Sequence, residues 1–223
     1  GYSLEFDYTK IQLERANFYT DFTRNNQIIR FQNYLPNNER SDIKLNLFFY
    51  PIQQSEYFAL GLGIRKIDRI RNASFQNYSL EEIILAYGPQ LVLKSKIPIT
   101  EQLSIHLGLD LYHTQGRRTF DYSSLYYSSF DNFSYIETLG TSHKTLGVFR
   151  GYEANIALKY NFLENFNLAF GYNYNYSYYK YESLNDKLYY ISSESNTFLY
   201  RDVSFSNGKE ILRGFYISGS TIF

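Results

Sequence analysis

The chain has 223 residues, of which 44% are hydrophobic and 20% charged, with a formal net charge of zero and no cysteine. A net charge of zero argues against nucleic acid as a partner, because no excess of cations can displace counterions from phosphates. The lack of cysteine excludes disulfides, thiolate metal sites and cysteine nucleophiles, and no run approaches the ~18 apolar residues of a membrane-spanning helix. We expect residues 1–223 to form a single domain, and any signal peptide either to have been removed or to lie outside this sequence.

Eight segments of the chain alternate large apolar side chains with small or polar ones. A period of two indicates an extended strand with two unlike faces. The clearest segment is "NLAFGYNYNYSYYKY", in which Leu168, Phe170 and Tyr172 alternate with Ala169 and Gly171. In chain order, the eight predicted strands cover residues 2–9, 42–49, 57–65, 85–94, 103–112, 152–162, 167–181 and 213–223.

The predicted connections are alternately short and long. Three are tight turns, at residues 51–56, 98–102 and 163–166, and four are long, at about residues 14–41, 70–82, 116–149 and 182–212. An even strand number with short turns at one rim and long loops at the other is typical of outer-membrane barrels, since only short turns cross a bilayer easily. A hairpin hidden around "NQIIRFQNYLPNNER" would raise the strand number to ten.

The direction of the apolar faces decides the class of barrel. The interior of an eight-stranded barrel is just wide enough for side chains to fill it, and the apolar faces carry too many Tyr, Phe and Leu residues to fit there. The opposite faces are rich in Gly, Ala, Ser and Asn, which do fit. We therefore expect the apolar faces to point outward to lipid, with tyrosine-rich strand ends forming interfacial girdles. The alternative is a soluble, lipocalin-like barrel with its apolar residues inside.

In these repeats, in the three tight turns and in the terminal "YISGSTIF", the chain resembles the small eight-stranded outer-membrane barrels of the OmpX and OmpA transmembrane-domain type. The resemblance implies an all-β fold: an eight-stranded antiparallel up-and-down transmembrane β-barrel with short periplasmic turns, long extracellular loops and periplasmic termini. It also implies the bacterial cell outer membrane as the location, contact with outer-membrane lipid, and no cofactor. Phe223, with Phe215 and Ile217 on the same face, resembles the terminal-strand signal that the barrel assembly machinery reads.

The predicted inner faces carry charges of both signs. An unpaired charge in a narrow, poorly solvated lumen is costly, so we expect these charges to form ion pairs that plug the barrel. A polar path for small solutes is the alternative. The predicted lumen ion-pair residues are Glu5, Asp7, Asp42, Lys44, Arg65, Lys94, Lys96, Asp110, Glu153 and Lys159.

Arginine recurs where the predicted strands leave the membrane on the long-loop side. Its planar guanidinium group binds phosphate bidentately. The phosphates of lipopolysaccharide lie at the same level, at the outer surface of the membrane. We therefore expect a collar that binds lipopolysaccharide; a wet, charged rim without a ligand is the alternative. The predicted collar consists of Arg69, Arg71, Arg117, Arg118, Arg150 and Arg213.

Patterns for catalysis and metal binding are weak. His113 lies near Asp110 and near a serine pair at 123–124, but the spacing matches no lipid A deacylase motif, and we predict no catalytic residue. His106 lies near the opposite strand end and His143 in a long loop, so we expect no three-histidine metal site.

The long loops are rich in Tyr, Ser and Asn, and their partial alternation predicts that strands continue beyond the membrane. Tyrosine provides contact area at low entropic cost, as in protein-binding surfaces. We therefore expect a non-enzymatic surface protein whose extracellular loops bind a host or envelope protein in an adhesive or structural role. A narrow channel for small solutes and a lipid A-modifying enzyme are the alternatives.

Overall fold

The fold is known from a computed structural model. It describes residues 1–12, 16–24, 27–35, 37–52, 57–75, 78–126, 134–139, 145–163, 166–182, 187–192, 199–202 and 207–221. Phe223 and His143, which carry predictions above, lie outside these ranges. The regular elements within them are all strands, so the described chain holds no helix that is long and apolar enough to cross a membrane.

The described residues form thirteen strands, eight of which make up one continuous wall. The strands are β1 (Tyr2–Gln12), β2 (Ala16–Arg24), β3 (Gln27–Leu35), β4 (Asn37–Phe49), β5 (Phe58–Phe75), β6 (Tyr78–Pro98), β7 (Leu103–Tyr126), β8 (Ser134–Leu139), β9 (Leu146–Leu163), β10 (Phe166–Glu182), β11 (Lys187–Ser192), β12 (Leu199–Asp202) and β13 (Asn207–Thr221).

The wall is an antiparallel meander with the order β1–β4–β5–β6–β7–β9–β10–β13. This confirms the predicted all-β fold with eight antiparallel strands. Within the described residues, β2 and β3 pair with each other in a separate sheet, while β1 pairs with β4 along its whole length. The hairpin suspected in this segment is therefore present, but it does not enter the wall, and the ten-stranded alternative is wrong.

The wall curls around one central space. A row of directly opposed residues starts at one end of β1 and reaches only the middle of β13, which reflects the strong strand tilt of small barrels. The row runs through Tyr2, Phe49, Leu60, Leu93, Leu109, Ala154, Tyr174 and Arg213. Residues of all eight strands line one cavity of about 1110 Å³, which we call the lumen. Among the described residues, β1 and β13 are the two edges of this curled sheet.

The two ends of the wall differ. At the short-turn end, the Thr100 side chain accepts hydrogen bonds from the backbone N–H groups of Gln102 (3.3 Å) and Leu103 (3.0 Å), which fixes the tight turn between β6 and β7. At the long-loop end, β5, β6 and β7 are 18, 21 and 24 residues long. They exceed the ~9–11 residues that a transmembrane strand needs, and β7 continues there into a sheet with β8, β11 and β12.

Glycine is required where neighbouring strands approach closely. A Cβ atom at Gly116 in β7 would lie 1.7 Å from the carbonyl oxygen of Leu85 in β6. A Cβ atom at Gly63 would lie 2.1 Å from the Asn46 side-chain oxygen. Because strand backbones and inner-face side chains occupy these positions, a larger residue would push the wall apart. Gly214 in β13 is different, since a Cβ atom there would meet no atom within 4 Å.

Candidate functional site

The interior of the wall is polar and its exterior is apolar, the reverse of a soluble protein. Arg40 and Arg65 are each 1% exposed, whereas Leu4 and Phe215 are 71% and 74% exposed. The pleat produces this pattern, because successive side chains of a strand point to opposite faces. The soluble, lipocalin-like alternative is therefore wrong, and the outer face has the character of a lipid-facing band.

Aromatic rings cluster on the outer face at two levels. Tyr2 and Phe49 lie 5.5 Å apart between ring centroids near the short-turn end. Tyr152 and Tyr176 stack at 5.6 Å closer to the long-loop end. Leucine, isoleucine and phenylalanine side chains, among them Phe6, Phe170 and Phe215, are exposed on the outer face between these levels, so the whole band is apolar.

Asp42 in β4 is the centre of a buried network of ion pairs. Its carboxylate accepts hydrogen bonds from Arg40 Nε at 2.8 Å and from Arg65 Nε at 3.0 Å. Arg65 also donates to Glu153 in β9 at 2.8 Å, and Arg40 donates to Glu210 in β13 at 2.8 Å. The two guanidinium groups therefore connect β4 and β5 to β13 and β9, strands with which they share no ladder.

Lys44 extends this network toward the short-turn end. Its Nζ atom lies 2.9 Å from Glu153, 3.0 Å from Asp110 in β7 and 3.6 Å from Asp7 in β1. Asn173 in β10 donates a further hydrogen bond to Glu153 at 2.8 Å. Since each buried carboxylate here contacts a cation, the desolvation cost of these charges is offset by pairing.

A second cluster surrounds Glu82 in the part of β6 that lies beyond the ~9–11 membrane-spanning residues. The carboxylate accepts hydrogen bonds from Arg118 (2.7 Å), the Tyr181 hydroxyl (2.7 Å) and Arg71 (3.1 Å). Burial alone would raise the pKa of Glu82, but the positive charges of Arg71 and Arg118 and these hydrogen bonds outweigh it. They hold the pKa below its usual value, so the carboxylate stays ionised at neutral pH.

Aromatic rings cover the guanidinium groups inside the wall. The Cζ atom of Arg65 lies 4.1 Å from the Tyr112 ring centroid, and that of Arg118 lies 4.2 Å from the Tyr181 ring centroid. These contacts add cation–π attraction in a site with little water. An apolar cluster fills the space beside them: Ile67, Ile84, Ala86, Tyr112, Phe149 and Tyr181. The part of the interior nearest the long-loop end is therefore more apolar than the inner-face sequence indicated.

The structure places the predicted lumen residues on the inner face at two heights. Six of them belong to the network around Asp42 and Lys44: Asp7, Asp42, Lys44, Arg65, Asp110 and Glu153. Nearer the short-turn end, Lys94 contacts Glu5 across the lumen. Lys96 and Lys159 lie at that same end, in register with His106 and Ser104 of β7.

The predicted arginine collar is wrong for three of its six members. Arg69 and Arg118 are 3% and 2% exposed, and Arg71 contacts Glu82 inside the wall. The pleat explains the error. Odd-numbered residues of β5, such as Arg65, face inward, and so do even-numbered residues of β7. The side chains of Arg69, Arg71 and Arg118 therefore all point into the interior. Arg69 accordingly meets a carboxylate of β13 rather than lipid.

The other three predicted collar residues, Arg117, Arg150 and Arg213, are exposed on the outer face. Arg150 in β9 donates a hydrogen bond from Nε to His113 Nδ1 in β7 at 3.1 Å, directly across the ladder. These positive charges lie on strands β7, β9 and β13. Whether they contact lipopolysaccharide remains a prediction.

The residues considered for catalysis do not converge. Asp110 faces the lumen and contacts Lys44, whereas His113 faces outward and contacts Arg150. A histidine and a carboxylate on opposite faces of one strand cannot activate a shared nucleophile. Within the described ranges, no group of three or more His, Asp or Glu side chains could hold a metal ion.

The sequence does not predict all residues of the network, and Arg40, Glu82 and Glu210 are among the exceptions. Arg40 carries a usable signal, because it lies two residues before Asp42 and therefore on the same face of the strand, just beyond the predicted strand end. Glu82 and Glu210 carry none, since both lie in predicted long loops.

The profile of a family described as "Predicted outer membrane protein, Leptospiraceae" matches residues 1–223, the whole chain. No curated protein matches the chain, and neither does any solved structure. The family description agrees with the apolar outer face and the polar interior, which were established from the side chains alone. The finer likeness to the OmpX and OmpA type stays a prediction.

Proposed function

Because the chain belongs to this Leptospiraceae family and is located in the bacterial outer membrane, we propose that it is a non-enzymatic surface protein. Its barrel is an anchor with a plugged lumen, and its extracellular extension binds a host or envelope protein. The observation that carries the proposal is the length of β5, β6 and β7, 18, 21 and 24 residues. These strands are about twice as long as a membrane requires, ~9–11 residues.

The extension offers a surface for protein binding. Above the membrane, β7 pairs with β8, β8 with β11, and β11 with the short strand β12. Among the described residues, β12 pairs with β11 alone, which makes it the edge of this sheet. An open strand edge can accept a strand of another protein through main-chain hydrogen bonds. The sequence "KLYYIS" of β11 also has the tyrosine and serine content of binding surfaces.

The buried network supports a plugged lumen rather than a solute path. Asp42, Arg65 and Glu153 form one chain of contacts from β4 through β5 to β9, across the width of the lumen. A solute would have to separate these charges in a site with little water, which is costly.

Adhesion of proteoliposomes to cultured epithelial cells tests the binding role. Liposomes that carry the wild-type protein should adhere several-fold more than liposomes that carry a variant with residues 187–202 replaced by a Gly/Ser linker. A heat-induced gel-mobility shift of both proteins verifies that the barrel is folded in each. Equal adhesion by the two preparations would contradict the proposal.

Conductance across planar bilayers separates the plugged anchor from the narrow channel. We expect the wild-type protein to insert without stable open currents, because the ion pairs close the lumen. Stable single-channel openings of the wild type would favour solute transport and would contradict the plug.

Incubation with lipid A tests the enzymatic alternative. His113 and Asp110 lie on opposite faces of β7, so we expect the mass of lipid A to be unchanged. Deacylated or acylated products that form with time and with protein concentration would contradict the proposed non-enzymatic role.

A further inference from the structure

The two strands that pair in a separate sheet, β2 and β3, are not used by the proposed function. We call this pair the arm. Gln12 lies opposite Glu39 at the end of the β1–β4 ladder, and Ala16 lies opposite Leu35 at the start of the arm. The same number of residues separates the two ladders along both strands, so the register does not change between them. The arm therefore continues the β1–β4 ladder away from the membrane.

The arm extends beyond the neighbouring strand of the wall. Asn37 at the start of β4 lies opposite Asn72, and β5 ends shortly afterwards at Phe75. Both strands of the arm have 9 residues, which corresponds to about 30 Å at ~3.3 Å per residue. Most of this length therefore lies above the end of β5.

One edge of the arm is open. The outer edge of β3 continues the edge of β4 that pairs with β5, and β3 contacts β5. In the part of the chain that the structure describes, β2 pairs with β3 alone. Its other edge therefore presents unpaired N–H and C=O groups outside the membrane. A sheet of only two strands is marginally stable in water, so pairing along this edge would stabilise the arm.

The sequence of β2, "ANFYTDFTR", has a phenylalanine two residues before and two residues after its central Thr20. In an antiparallel pair of two β2 strands centred on Thr20, Phe18 of each copy lies opposite Phe22 of the other. Cross-strand aromatic pairs and threonine pairs stabilise antiparallel sheets. The charged residues Asp21 and Arg24 each lie opposite an uncharged residue in this register. The edge of β2 is therefore complementary to itself.

The direction of β2 decides where a second copy would lie. β1 runs from the short-turn end to the long-loop end, because Tyr2 lies opposite Phe49 at the short-turn end, and β2 continues in that direction. Copies in one membrane therefore have parallel β2 strands, whereas copies in two facing membranes have antiparallel ones. A twofold pair of this kind uses the same edge of both chains and is closed.

We propose that β2 pairs with β2 of a second copy of this chain in a facing membrane, so that the arms join two cell surfaces. The proposal rests on the proposed function as a surface protein and names the partner of the arm. Each open edge gains main-chain hydrogen bonds from the other, as in strand addition. The result is a sheet of four strands, β3–β2–β2–β3, and many such pairs between two membranes act together.

Clustering of proteoliposomes with one another tests the pairing. Liposomes with the wild-type protein should cluster several-fold more, by light scattering, than liposomes with Phe18→Lys/Phe22→Lys, which places like charges opposite each other. Liposomes with Phe18→Glu/Phe22→Glu should also stay dispersed. A mixture of the Lys and Glu liposomes should cluster, because opposite charges then lie opposite each other, and this recovery excludes misfolding as the cause. Dispersed wild-type liposomes, or a dispersed mixture, would overturn the proposal.

Single cysteines test the register, since the chain contains no cysteine. Thr20→Cys should form a disulfide between copies, because residue 20 lies opposite itself in the pair. The matched control is Ala16→Cys in the same strand, which lies opposite Arg24 of the second copy and should not cross-link. Two liposome populations whose proteins differ in mass by a tag show whether the copies come from facing membranes. Equal yields at the two positions, or disulfides only within one population, would overturn the proposal.

These experiments separate the pairing of β2 from the proposed binding of a host protein. Adhesion to epithelial cells that depends on residues 187–202, without clustering of liposomes, would refute the pairing of β2 and leave the proposed function standing. Clustering without such adhesion would support the pairing and refute a host partner at residues 187–202.

Discussion

Replacing Glu153 by alanine tests the buried network at its most connected carboxylate. Glu153 lies 2.9 Å from Lys44 and 2.8 Å from Arg65, and its side chain is 12% exposed. Loss of one partner from a buried pair typically costs about 3–5 kcal/mol, because the remaining charge is left without compensation. In the variant, Arg65 remains paired with Asp42 and Lys44 remains paired with Asp110. We therefore expect the free energy of unfolding to fall by the lower limit of this range, about 3 kcal/mol.

Urea unfolding of the protein in lipid vesicles measures this loss. Circular dichroism is the suitable signal, since the chain contains no tryptophan. The matched control is Glu39→Ala, which removes the partner of Lys10 from a pair of similar length, 3.0 Å, that is 39% and 56% exposed. Solvent screens an exposed pair, so the control should unfold nearly as the wild type does. Equal, small shifts in the two variants would show that Glu153 is solvated and that the lumen is open to water.

Three further predictions follow from single features of the wall. Gly116→Ala should lower the free energy of unfolding by about 1–3 kcal/mol, because its Cβ atom would lie 1.7 Å from a backbone oxygen; Gly214→Ala should leave the urea midpoint unchanged, and equal midpoints would contradict the close approach. The folded-state pKa of Glu82 is lowered, so its ion pairs stabilise the protein above the unfolded-state pKa of about 4.3, and this contribution is lost as the pH falls through the lower folded-state value. Glu82→Gln should therefore be less stable than the wild type at neutral pH and should approach it in acid; a difference in unfolding midpoint that does not depend on pH would contradict this. Finally, Arg117→Gln/Arg150→Gln should gain less thermal stability from added lipopolysaccharide than the wild type, and high salt should reduce the wild-type gain; identical gains would show that the outer arginines do not bind it.

The strands that cross the membrane could be predicted because their two faces lie in different environments. Lipid selects large apolar residues on one face and the narrow lumen selects small or charged residues on the other, so the period of two is strong in β4 and β10. The strand ends on the long-loop side could not be predicted in the same way. β7 runs from Leu103 to Tyr126, far beyond its predicted end, because a strand outside the membrane does not need an apolar outer face.

The candidate site was predictable in its composition but not in its pairing. The alternation of side chains between the two faces of a strand is enough to assign Asp42, Lys44 and Arg65 to the lumen. The same alternation, continued along β5, also assigns Arg69 to the lumen. Which side chains meet across the lumen depends on strand tilt and stagger, which no local pattern encodes. The contact between Arg40 and Glu210 is an example, since it joins residues 170 positions apart in the sequence.

The most direct test of the account compares two adjacent residues of β4. Leu47 is 55% exposed on the outer face, whereas Phe48 is 2% exposed on the inner face. Because the chain has no tryptophan, Leu47→Trp and Phe48→Trp each introduce a single tryptophan whose emission can be followed. In bilayers of lipids with brominated acyl chains, we predict strong quenching of tryptophan at position 47 and little quenching at position 48. Stronger quenching at position 48 would contradict an apolar outer face and a polar lumen.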